Sequence, residues 1–120
     1  MLIRLLRRFV ILPATPSEAT ISGYRRPLGY QQITAGTLAS ATNLTLPTPI
    51  AHGGFLPGYA IIQCEVTSAA VRWRDDGTAP TSTVGMNLLA GQELDYSGDL
   101  TTIQFILSAG SPILNVSFYA

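Results

Sequence analysis

Residues 70–106 read AVRWRDDGTAPTSTVGMNLLAGQELDYSGDLTTIQFI, and the alternation at the start of this stretch decides the fold. Val71 and Trp73 share one parity and Arg72 and Arg74 the other. In an extended chain successive side chains point to opposite faces, so an apolar face and a charged face are expected here. Asp75-Asp76-Gly77, extended by Thr78-Ala79-Pro80-Thr81, ends that run with turn chemistry. Asp accepts backbone hydrogen bonds in a turn and Gly supplies positive φ. The same grammar repeats downstream. Thr83–Leu89 predicts a strand, Gly91 a turn, Glu93–Tyr96 a short strand, Ser97-Gly98-Asp99 a turn and Thr101–Ser108 another strand.

Working outward, Gly110-Ser111-Pro112 leads into Ile113–Tyr119, where Leu114, Val116 and Phe118 share a face. Upstream, Tyr59–Val66 is an apolar strand holding Cys64. Before it lies a loop of Pro47, Pro49, His52-Gly53-Gly54 and Pro57-Gly58. Thr37–Leu46, with Leu38, Leu44 and Leu46 on one parity, predicts the first strand. About seven short strands at a spacing near ten residues, with no helical period between them, predict an all-β fold. The expected architecture is an antiparallel β-sandwich or jelly-roll-like barrel, since βα alternation is missing.

Residues 1–36 have a different texture and predict an extended N-terminal arm, leaving 37–120 as the β-sandwich domain. Wound as a helix, residues 2–12 place Leu2, Leu5, Phe9 and Leu12 on one face and Arg4, Arg7 and Arg8 on the other. Three turns are marginal without something to pack on, and Pro13 and Pro16 stop the helix. The apolar run is interrupted by Arg7 and Arg8 and is short of the roughly 20 residues that span a bilayer. Neither a secretion signal nor a membrane span is expected, and the single cysteine is compatible with synthesis in a reducing cytoplasm.

The chain has 120 residues, 47% apolar and only 12% charged, against about 25% charged in ordinary soluble domains. So sparse a polar coat implies that part of the surface is covered by a partner. Lysine is absent. Residues 1–26 carry five arginines against Glu18, a net of +4, while residues 27–120 carry Arg72 and Arg74 against six acids, a net of −4. A basic arm on an acidic body suits docking between copies. Five arginines without interleaved aromatics are a poor nucleic-acid signature, so no nucleic-acid partner is expected.

The residues that carry chemistry are few. His52 is the lone histidine, which excludes a multi-histidine metal site within one chain. His52-Gly53-Gly54 is the oxyanion string of some hydrolases, but no G-x-S-x-G elbow accompanies it. Asp75, Asp76, Asp95 and Asp99 are oxygen donors without the spacing of a calcium loop. Nothing selects any two of them as a glycosidase pair. No catalytic residue, cofactor or metal is therefore expected, and the protein is not expected to be an enzyme. Trp73, between Arg72 and Arg74, has three readings: a core residue, a stacking platform for a sugar, or an interface anchor. Cys64 in its apolar run predicts a buried small hydrophobe.

The segment Ala70–Ala120 resembles a module that recurs in small proteins of tailed bacteriophages. The parts that carry the likeness are Arg72-Trp73-Arg74, Asp76-Gly77 with Pro80-Thr81, Val84-Gly85-Met86, Ala90-Gly91 and Ile103-Gln104-Phe105-Ile106. The likeness spans roughly 50 residues, at turn and core positions, which specify fold better than function. It implies a virion structural protein. The expectation is a capsid decoration or cement protein, a homo-oligomer such as a trimer. Leu2, Leu5, Phe9 and Leu12 would anchor it across neighbouring major capsid subunits, and Arg4, Arg7 and Arg8 would pair with acids there. A tail, collar or head-fibre component, and a receptor- or glycan-binding module, are the alternatives.

Overall fold

The computed structural model describes residues 25–49 and 53–120. Eight strands and one short helix follow in order: β1 Pro27–Ile33, α1 Ala35–Leu38, β2 Thr42–Asn43, β3 Tyr59–Glu65, β4 Ala70–Arg74, β5 Met86–Leu89, β6 Glu93–Tyr96, β7 Gln104–Ala109 and β8 Ile113–Tyr119. Among the described residues no helix is long and apolar enough to cross a membrane.

The pairing has a simple rule. β1 pairs with β8, β2 with β7, β3 with β6 and β4 with β5, every pair antiparallel. The chain is a long hairpin folded in half, each strand meeting its mirror image about the β4–β5 turn. Two further antiparallel pairings, β3 with β8 and β4 with β7, roll this ribbon up. The result is two four-stranded sheets, β1-β8-β3-β6 (sheet one) and β2-β7-β4-β5 (sheet two). This is the winding of a jelly roll, and the all-β expectation holds.

Strand parity builds the core. Sheet one sends Ala60, Ile62 and Cys64 of β3 and Leu114, Val116 and Phe118 of β8 inward. Sheet two answers with Val71, Leu88 and Phe105. Leu28, Ile33, Leu38, Leu44, Leu100 and Ile103 close the ends of the same cluster. Phe105 and Phe118 are the largest fully buried side chains. Burial pushes the Cys64 thiol above its ordinary range, with the Glu65 charge adding to it. The thiol is thus neutral packing, as its apolar run predicted.

Two expectations change. The sandwich begins ten residues before the expected boundary at residue 37, because Pro27–Ile33 is a strand of sheet one. Its N-terminus is tied by reciprocal backbone bonds between Arg26 and Ala120, both 2.9 Å. Thr37–Leu46 is not one strand. Thr34 accepts from the N–H groups of Thr37 and Leu38 to close the single turn of α1. The Thr42 hydroxyl then ties the Thr37 and Ser40 carbonyls, leaving only Thr42–Asn43 to pair with β7. The expected inward residues survive this change: Leu38 and Leu44 are buried.

Candidate functional site

The triplet Arg72-Trp73-Arg74 is split three ways. Trp73 lies half-buried at one end of the sandwich, its ring edge-on to Tyr96 at 6.0 Å between centroids. It packs against the core's end while Phe105 and Phe118 fill the centre. Arg72, on the outer face of sheet two, donates from Nη1 to the Gly85 carbonyl at 2.8 Å, and its Nε is buried without a partner. Arg74 grips Asp76 through two bonds, of 3.1 and 2.5 Å. That ion pair, helped by the Thr78 N–H, holds the Asp76 carboxyl below the usual carboxylate range. Exposed ion pairs of this kind contribute little to stability.

The turn between β4 and β5 forms a cleft of about 410 Å³ lined by Arg74, Asp75, Asp76, Val84, Gly85 and Met86. Gly85 sits at φ +143°, where an added Cβ would come within 3.1 Å of the Trp73 carbonyl. Only glycine suits this crossing. Thr81 and Val84 exchange backbone bonds that close the loop. Val84 and Met86 are 52% and 59% exposed, so the cleft has an apolar rim and a charged floor.

Beneath the cleft the Tyr96 phenol donates to Asp75 Oδ2 at 2.7 Å. A Cβ at Gly98 would overlap the Tyr96 hydroxyl, so the turn is cut to fit that ring. Burial, then the Asp75 carboxylate, push the Tyr96 pKa up to about 12 from 10.0. The raised value means that the neutral phenol is favoured in the folded state. Its stabilisation is complete below pH 10 and is lost as pH climbs from 10 toward 12. Tyr96→Phe is expected to lose about 1 kcal/mol at neutral pH but to flatten the alkaline limb of Tm against pH. A mutant limb as steep as that of the wild type would show that Tyr96 does not carry the effect.

The outer face of sheet one holds a second constellation. Tyr30 of β1 donates to Asn115 Oδ1 of β8 at 2.5 Å, and Gln32 Nε2 reaches the same oxygen at 3.2 Å. The Asn115 amide donates in turn to Glu65 of β3. One polar chain thus crosses three strands. Beside it a trough of about 260 Å³ runs from β1 to β6, lined by Tyr30, Ile61, Gln63, Glu93, Asn115 and Ser117. Register places Glu93 opposite Gln63 and Asp95 opposite Ile61 on this face. At one end Tyr59 packs against Tyr119 at 5.9 Å, and the Arg25 guanidinium lies 3.8 Å above the Tyr59 ring. Burial and the neighbouring Asp95 carboxylate raise the Tyr59 phenol.

Of the four aspartates, Asp75 serves Tyr96, Asp76 serves Arg74, and Asp99 caps Thr101 through its N–H and hydroxyl. Those caps, the hydroxyl first, hold Asp99 below its ordinary pKa. Asp95 stands apart on sheet one. Among the described residues no three His, Cys, Asp or Glu side chains converge on one point to hold a metal ion. His52 and the arm residues Leu2, Arg4, Leu5, Arg7, Arg8, Phe9 and Leu12 lie outside the described residues. No protein family, characterised protein or solved structure matches the chain.

Proposed function

We propose that the protein is a structural component of a bacteriophage virion, a capsid decoration or cement protein that sits on the shell. Its jelly roll associates with its neighbours and its N-terminal segment ties it to them. The observation that carries this reading is the economy of the fold. The eight described strands already close into a roll between Pro27 and Tyr119. The residues before Arg25 join at an edge strand of sheet one, beside the C-terminus. A segment that carries Leu2, Leu5, Phe9 and Leu12 among Arg4, Arg7 and Arg8, attached to a domain whose described strands already close, is equipped to dock.

Exposed Val84, Met86 and Leu89, on or beside the free edge strand β5, support association through the β-domain. The mechanism is burial of apolar surface, at about 25 cal/mol per Å² before ordering costs. Repeated over many copies, it opposes the outward pressure of packaged nucleic acid. The test is the number of copies per purified particle, counted by quantitative mass spectrometry against the most abundant shell protein. A simple fraction of the shell number is expected. A few copies per particle would move the protein to a collar, tail or fibre. Absence from particles would overturn the reading in favour of a receptor- or glycan-binding module.

A further inference from the structure

We infer that the outer face of sheet one is the receiving surface for residues 2–12 of a second copy, so that neighbours are laced together by exchanged arms. The inference rests on the decoration reading and names the partner of the arm. Three features of the face and one of the chain support it.

The first is charge. Glu65, Glu93 and Asp95 gather on the β3–β6 side of the face. The one salt bridge among the described residues is Arg74–Asp76, on the other sheet. Three carboxylates on one face thus lack an ionic partner within the sandwich. The segment before Arg25 holds Arg4, Arg7 and Arg8 against a single acid, Glu18. Partners of opposite sign steer encounter and set register.

The second is shape. The trough crosses all four strands of the sheet, from Tyr30 on β1 to Glu93 on β6. At about 4.8 Å between strands, that crossing is about 14 Å. Eleven residues wound as a helix are about 16 Å long. The apolar line Leu2, Leu5, Phe9 and Leu12 would lie over Ile61 and the Tyr30 ring, which is 64% exposed. The arginines would then face the acidic side. The polar chain Tyr30–Asn115–Glu65 already holds the wall in place, so little side-chain freedom is lost on docking.

The third is the point of departure. Arg25, the first described residue, already lies on this face over Tyr59. From there residues 13–24 reach about 40 Å when extended, enough to pass from one sandwich to its neighbour. Reciprocal exchange closes a symmetric pair in which two arms bind at once, and each raises the effective concentration of the other.

The test uses the full chain and sedimentation velocity at low and high salt. The wild type is expected to associate, and more weakly at high salt. Arg4→Glu/Arg7→Glu/Arg8→Glu, which changes none of the described residues, is expected to weaken association about tenfold or more. So is Glu65→Arg/Glu93→Arg/Asp95→Arg. Combining the two sets in one chain is expected to restore association. A wild type that stays monomeric, whether its arm is free or folded back on its own sheet, would overturn the exchange. So would full association of the arm-reversed variant, which would assign self-association to another surface such as β5. Neither result would alter the copy number on particles, so the decoration reading stands or falls separately. Binding of a neutral polysaccharide that competes with association would give the face to a glycan and also overturn the inference.

Discussion

Phe105→Ala is expected to cost about 3–5 kcal/mol of unfolding free energy, the range for removing a fully buried aromatic side chain. Phe105 is fully buried and occupies the inward position of β7, directly opposite Trp73 on β4 and beside Thr42 on β2. The buried set among the described residues is apolar apart from the Tyr96 phenol and the Cys64 thiol, which leaves few groups to hold a water in the space left behind. A cavity with such a lining is closed chiefly by collapse of the sheets. Two four-stranded sheets pinned by six pairings resist that collapse. A domain of this size has about 5–15 kcal/mol in total, so the variant should sit near the edge of folding at 37 °C. Urea unfolding followed by far-ultraviolet circular dichroism gives the value without relying on Trp73 fluorescence, which the missing ring would itself perturb. Phe105→Leu should recover most of the loss. A cost below about 1 kcal/mol would mean that the sheets close over the gap and that the core is less rigid than its packing implies.

Deleting residues 2–12 is expected to have the opposite profile, leaving stability alone and removing function. The described strands close the roll between Pro27 and Tyr119, and the reciprocal bonds of Arg26 with Ala120 lie downstream of the deletion. Tm should change by no more than a degree or two, because none of the described core residues is touched. Occupancy of particles should fall by about tenfold or more, since several apolar anchors and three arginines leave together. The measurement pairs differential scanning fluorimetry with quantification of the variant on particles lacking the wild-type protein. Normal occupancy would show that docking belongs to the sandwich, and the cleft at Arg74 and Met86 would then be the surface to mutate. A large drop in Tm would show that the segment is part of the fold.

Most of the sandwich was legible because most of it alternates. The ends of β3, β4, β6 and β8 fall within a residue of where parity and turn chemistry put them. β1 was not legible, and the reason is local. Leu28 and Ile33 both face the core although they are five residues apart, because the register shifts between Pro27 and Gly29. A bulge of this kind breaks the period of two on which any reading of parity depends. With that period broken, residues 27–33 read as part of the extended arm instead. α1 has only Leu38 to mark it, and four residues hold no helical period.

The site was legible in one half only. The motif around Trp73 was visible as a motif, and the structure finds its three members in three different roles. The constellation on sheet one had no signal at all. Tyr30 and Asn115 are 85 positions apart, and Asn115 and Glu65 are 50 apart. Each is an ordinary polar residue on the outward parity of its own strand. They become a chain only because the first strand and the last lie side by side, which no reading of a single strand reveals.

The mirror-image pairing about the β4–β5 turn also orders the folding reaction in time. The innermost pair, β4 with β5, closes a loop of eleven residues from Asp75 to Gly85 and can form as soon as both strands exist. The outermost pair joins Pro27 to Tyr119 and must close almost the whole chain. Contacts of such long separation are the slow ones. During synthesis β8 emerges after the other seven described strands, and until it arrives β1 and β3 both lack the neighbour that lies between them. The seven residues of β8 therefore lock sheet one in a single late step, and a chain truncated before Ile113 is left with an apolar sheet that cannot close.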